Sequence, residues 1–119
     1  IESAAAWRWV VLLGVAAAAA PAAAHHGWGN YDATQALTLT GKVIASTYQN
    51  PHGELKLEVA AKTWHVILAP PSRMQNRNLP AANMKPGATV TVVGYPHRTE
   101  ATELRAERIV IAGVTTELR

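Results

Sequence analysis

From Leu37 onward, hydrophobic and polar residues alternate in short stretches separated by turn residues. Leu37 to Tyr48 places Leu37, Leu39, Val43 and Ala45 on one face and reads as a long strand, with Gly41 predicting a bend or bulge in its middle. Glu54 to Val59 alternates strictly. After a turn over Ala60 to Lys62, Thr63 to Leu68 sets Trp64, Val66 and Leu68 inward against Thr63, His65 and Ile67. Pro70-Pro71 ends that strand, and the residues after it suit a short helix with Ser72 as N-cap, limited by Pro80. Ala88 to Gly94 and Leu104 to Ile111 read as a fourth and a fifth strand. Asn50-Pro51-His52-Gly53, Lys85-Pro86-Gly87 and Tyr95-Pro96-His97-Arg98 are turns by composition, Gly53 being expected to supply a left-handed position. Three strands, a helix and two more strands predict an all-β fold: a five-stranded OB-fold-like barrel with one short helix between strands 3 and 4. A β-sandwich would need about seven strands.

Ahead of this pattern, Trp7 to Ala24 carries a single charge, Arg8, then an apolar run from Val10 to Ala20 and a tail of small residues. That is the layout of a secretory signal peptide with an A-x-A cleavage site before His25. Ala4 to Ala24 also approaches the roughly 20 residues that cross a bilayer, with Trp7 and Trp9 placed for its interface. Residues 1–24 are therefore expected to be a signal peptide or a retained transmembrane anchor, an N-terminal hydrophobic helix in either case. Residues 25–36 form a His-containing lead-in segment without a period, and residues 37–119 form the barrel domain. Either role of residues 1–24 predicts a periplasmic or secreted domain, or one tethered to the inner membrane.

Composition narrows the chemistry. A chain of 119 residues with 49% hydrophobic and 16% charged residues holds one small core. The absence of cysteine excludes disulfides, thiolate zinc sites, iron–sulfur clusters and Cys nucleophiles. A net charge of +3 falls short of the basic stripe of a nucleic-acid binder, and no nucleic-acid partner is expected. Ser46 and Ser72 lack an evident histidine and acid, and no Gly-rich phosphate loop occurs, so catalysis is not expected either.

The five histidines carry the candidate chemistry. His25 and His26 open the exported domain, while His52 and His97 each follow a proline in the turns joining strands 1 to 2 and 4 to 5. In an OB-fold those loops border the usual binding surface. Stiffened turns lose little entropy on ligation, and imidazole-rich sites without thiolates suit copper, zinc or nickel. His25, His26, His52 and His97 are thus candidate ligands of a transition metal, copper favoured, with Trp28 and Tyr95 expected to shield the site. Cleavage before His25 would leave an N-terminal histidine that resembles the histidine brace of copper monooxygenases. His65 alternates outward, a position for solvent or a cross-strand partner. Met74 and Met84 could supply thioethers but fit core positions better. Arg73 and Arg98, with their neighbours Arg77, Arg105 and Arg108, are candidates for a patch that binds an anionic ligand, unless these arginines pair with Glu103 and Glu107.

The blocks HHGWGNYD, TLTGKV, NPHG, LAPPSRM, GYPHR and RAERI, in that order, resemble a family of small exported bacterial proteins catalogued as a domain of unknown function. The resemblance spans His25 to Arg119 and implies a secreted or membrane-tethered bacterial domain. In architecture, location and size the chain is also similar to OB-fold periplasmic copper carriers, whose ligand spacing it lacks. Two functions are expected from these features. One is metal delivery or accessory support by a copper-binding periplasmic domain. The other is a non-catalytic accessory subunit of a membrane respiratory or redox complex, held by residues 4–24 against integral membrane subunits and capping the periplasmic side.

Overall fold

A computed structural model describes residues 27–119; the predicted N-terminal hydrophobic helix, His25 and His26 lie outside the described residues. The strands are β1 (Leu37–Thr47), β2 (Glu54–Val59), β3 (Lys62–Ile67), β4 (Thr89–Pro96), β5 (Glu103–Ile111) and β6 (Val114–Glu117), with helix α1 (Pro71–Asn76) between β3 and β4. Antiparallel pairs join β1 to β2, β2 to β3, β1 to β4 and β4 to β5. A parallel pairing of β3 with β5 then closes the circle β1-β2-β3-β5-β4-β1. This is the five-stranded OB-like barrel with one short helix that the alternation predicts.

The length of β1 is what lets the sheet close. Its first half, Leu37 to Lys42, pairs with β4, and its second half, Lys42 to Thr47, pairs with β2. Lys42 belongs to both ladders, and the register shifts just beyond it, between Val43 and Ala45. The irregularity expected at Gly41 therefore falls a little later, and Gly41 serves a different purpose. A Cβ there would lie 2.1 Å from the Glu58 carbonyl oxygen, so the glycine permits β1 to cross β2 closely.

Inward residues of all five strands make one core, including Val43, Leu55, Leu57, Val66, Val92, Leu104 and Ile109. Each such side chain, fully buried, contributes about 1.5–3 kcal/mol. Met74 from α1 and Met84 from the 3-10 turn Ala81–Met84 pack against that core at 0% and 2% exposure, so both thioethers are structural. The helix begins two residues earlier than expected. Pro71 takes its first position, where a fixed φ and a missing N–H cost nothing, and Pro70 rather than Ser72 is the N-cap. Gly53 is not left-handed. It pairs instead with the strand exit, its N–H donating to the Ala69 carbonyl and its carbonyl accepting from Leu68 N–H, each at 2.9 Å.

Two features go beyond the predicted pattern. β6 pairs with the outer edge of β5 through a tight turn at Ala112-Gly113, both residues with positive φ. The described part of the lead-in segment, from Gly27, is strapped along the end of β4. Asp32 N–H donates to the Pro96 carbonyl at 2.9 Å, Arg98 N–H to the Asn30 carbonyl at 2.8 Å, and Tyr31 bridges His97. Among the described residues no helix is long and apolar enough to cross a membrane.

Candidate functional site

Both Pro-His turns meet one string of polar side chains on the outside of β2, β3 and β5. His52, in the turn after a cis Asn50–Pro51 bond, is 8% exposed, with Nδ1 3.5 Å from Glu54 Oε2. The other oxygen of Glu54 holds His65 Nε2 at 2.6 Å. His65 Nδ1 lies 3.6 Å from Glu103 Oε1, in contact range but long for a hydrogen bond. Glu103 Oε2 accepts from the Tyr31 hydroxyl at 2.5 Å, and the Tyr31 ring meets His97 edge-on at 5.1 Å.

The ladder explains why these residues meet. His65 pairs across β2 with Lys56 and across β5 with Glu103, while Glu54 pairs with Ile67 and Ile67 with Arg105. Outward positions of three strands are thus aligned in two adjacent rows. Beside them a surface cleft of about 240 Å³ is bounded by Ser46, Thr47, Glu54, Lys56 and His65.

Tyr31 is the covered end of the string, 2% exposed. Burial pushes its phenol well above the usual range, and the hydrogen bond to Glu103 and that carboxylate's negative charge push it further. The hydroxyl therefore stays protonated and donates to Glu103.

His97 is committed to its own turn. Its Nδ1 accepts from Glu100 N–H at 3.0 Å and Thr99 N–H at 3.1 Å, which assigns the ring proton to Nε2. Ligation through Nε2 would move that proton to Nδ1 and break both capping bonds. His52 shares a carboxylate with His65, whereas His97 sits at the far end of the string behind Tyr31.

The aromatic residues expected to shield a metal are gathered elsewhere. Trp28 meets Tyr95 edge-on at 6.1 Å, and the guanidiniums of Arg105 and Arg119 lie over the Trp28 ring at 4.5 and 4.4 Å. The Tyr95 hydroxyl lies 3.2 Å from both oxygens of Glu107. Arg73 donates to the Leu118 carbonyl at 3.0 Å, and Arg98 to the Gly29 carbonyl at 2.9 Å. Arg98 therefore ties down the lead-in strap, and Arg73 belongs with the C-terminal strand. Burial, and the charges of Arg73 and Arg119, lower the Arg105 guanidinium from its usual value.

Sequence reasoning missed Glu54, Glu103 and Tyr31, and it set His65 aside. The available signal was the register: aligning the inward residues of β2 and β3 already places Glu54 and His65 on one outer face.

The described residues thus form a closed five-stranded barrel of OB type that carries a histidine–carboxylate string on the outside of β2, β3 and β5. Residues 11–105 match a family described only as of unknown function, DUF6152, and the chain belongs to that family. No curated protein matches the chain. The matched stretch contains the whole string from Tyr31 to Glu103 and stops before Glu107, β6 and Arg119.

Proposed function

We propose that this domain binds a transition metal, copper favoured, at the end of the barrel where His52, Glu54 and His65 meet, for metal delivery or accessory support in the periplasm or at the inner membrane. The observation that carries the reading is the single carboxylate held between two imidazoles, 3.5 Å from His52 Nδ1 and 2.6 Å from His65 Nε2. Ligands on a tetrahedral ion with bonds of about 2.1 Å stand about 3.4 Å apart, so these separations suit groups that share an ion after a small side-chain adjustment. Two imidazoles and a carboxylate without thiolate favour Cu(II) or Zn(II), and Cu(II) binds such donors more tightly.

Among the described residues no three His, Asp or Glu side chains surround one point, so the described donors are a partial set. His25 and His26 complete it in this reading. They directly precede Gly27, whose carbonyl accepts from Arg105 at 3.2 Å, and Arg105 stands in the same cross-strand row as Ile67 and Glu54. His97, spent on its turn, is left out of the donor set.

Titration of the full chain with Cu(II), and separately with Zn(II), tests this. His65→Ala, on the half-exposed outer face, and His52→Ala are each expected to weaken the tighter metal by about tenfold or more, and His97→Ala by less than about twofold. Unchanged affinity in both His52→Ala and His65→Ala overturns the site.

A further inference from the structure

The net charge of the protein is not spread over it. Five guanidiniums converge around the end of β6: Arg73 and Arg77 donate to the carbonyls of Leu118 and Glu117, Arg108 pairs with Glu117 at 2.9 Å, and Arg105 and Arg119 share the Trp28 ring. Only Glu107 and Glu117 lie among them, Glu107 within 3.2 Å of Arg108 and 3.6 Å of Arg119. The other described charges cancel, Lys42, Lys56, Lys62, Lys85 and Arg98 against Asp32, Glu54, Glu58, Glu100 and Glu103. One face therefore carries the whole excess of +3. Burial of Arg105 beside like charges is an added cost, which an anionic surface would relieve.

The chain also enters the barrel at this face. Gly27 is held on Arg105 and Trp28 lies against Arg105 and Arg119, while only His25 and His26 separate Gly27 from the apolar segment that ends at Ala24. Wherever that segment is lodged, the arginine face is within two residues of it. We infer that the arginine face rests on an anionic phospholipid surface, with the hydrophobic N-terminal segment and the face acting as two linked membrane contacts. The inference does not depend on the metal reading. One hydrophobic element plus a basic patch is the combination that makes membrane attachment stable, and a tethered patch meets the surface at high effective concentration. Phosphate groups are matched by guanidinium forks, and Trp28 supplies the aromatic ring favoured at the headgroup level.

The chain has no cysteine, so single cysteines can be placed cleanly. Thr115→Cys is exposed on β6 and shares its outward side with Glu117, whereas Thr63→Cys lies at the β2–β3 hairpin. The full chain bearing one labelled cysteine is reconstituted into vesicles of phosphatidylcholine alone, or with an equal part of phosphatidylglycerol, and read with a headgroup-borne quencher. Quenching of the Thr115 label but not the Thr63 label, only with phosphatidylglycerol and reversed by salt, is the expected result. Replacing Arg73, Arg77 and Arg119 together by Gln should lower the docked-to-free ratio about a hundredfold, about fivefold for each charge. Equal quenching in both vesicles, equal quenching of both labels, or no loss in the triple variant overturns the inference. So does an acidic peptide, or inorganic phosphate without vesicles, that alone reproduces the Thr115 response.

Discussion

Two regions of β5 stand side by side and solve the problem of outward charge in opposite ways. At the start of the strand, Glu103 is shared between Tyr31 and His65, and Glu54 between His65 and His52, so each carboxylate has two partners. Farther along, Arg105, Arg108 and Arg119 share a single Trp ring and two carboxylates with each other. The lead-in strap serves both, with Tyr31 covering the first region and Trp28 the second. The difference teaches that closure of the barrel alone does not decide its surface chemistry. The same strand carries carboxylates shared with histidines at its start and guanidiniums in excess of carboxylates farther along, and what each region can take up follows from whether donors and acceptors match in number.

The variant with the largest expected effect removes both regions at once. Gly94 lies where β4 passes β5, and a Cβ there would be 2.1 Å from the Arg105 carbonyl oxygen and 2.7 Å from the Ala106 Cα. Backbone cannot step aside as a side chain can, so Gly94→Ala must part the two strands. We expect a loss of about 3 kcal/mol, overpacking against backbone being at the upper end of such costs. In a domain of this size that lowers Tm by on the order of 15 °C in a thermal melt. A melt unchanged from wild type would mean that β4 and β5 are not in this register, and the pairing of the two regions would go with it.

A milder variant separates them. Tyr31→Phe keeps the buried ring against His97 and deletes only the donor to Glu103, a bond to a charged acceptor worth about 2 kcal/mol. The arginine face should keep its vesicle response while the string loses its covered end. The alkaline limb gives a second readout. Because the folded state holds the Tyr31 proton more tightly than the unfolded chain, its contribution is complete below the usual phenol value near 10 and fades as pH rises beyond it. Wild-type stability should therefore decline more steeply above that pH than that of Tyr31→Phe, as denaturant melts across the alkaline range would show; identical slopes would sink the assignment.

The barrel was largely legible because its strands are half-buried and alternate with period two, which fixes which residues face the core. Leu55, Leu57, Val66, Val92 and Leu104 are buried as the alternation expects. β6 was not legible, since Val114 to Glu117 has one strongly apolar residue and draws its stability from pairing with β5 rather than from burial. The site was half legible. His52 and His97 stand out in the sequence by their Pro-His turns, but a turn histidine is equally able to cap its own backbone, which is what His97 does. Glu54 and Glu103 read as solvated strand positions because nothing local to them shows that a parallel pairing of β3 with β5 will set His65 between them. Long-range register, rather than local spacing, carries that information. The clustering of arginines was legible in part: Arg73, Arg77, Arg105 and Arg108, four of the five grouped in the sequence, do converge, whereas Arg98 ties down the lead-in strap, and Arg119 and the Trp28 ring join from distant parts of the chain.

The smallest effect is expected at the strap itself. Asp32 accepts from Thr34 Oγ1 at 2.6 Å, Thr34 N–H at 3.0 Å and Gln35 Nε2 at 3.0 Å, bonds that favour its ionised form and hold its carboxyl below the usual value, chiefly through the Thr34 side chain. A depressed folded value means that its contribution is present above the unfolded carboxyl value and is lost as pH falls through the folded one. The group is exposed, so solvent screens most of the effect. Asp32→Asn should thus leave the neutral-pH melt nearly unchanged, while the acid limb of the stability curve becomes slightly shallower than in wild type. Because Asp32 N–H also ties the strap to Pro96, amide exchange at residues 30–32 should quicken in wild type at acid pH before it does at β4. Exchange that quickens at β4 and the strap together would show that the strap is part of the barrel's cooperative unit. The histidine string and the arginine face would then rise and fall as one surface.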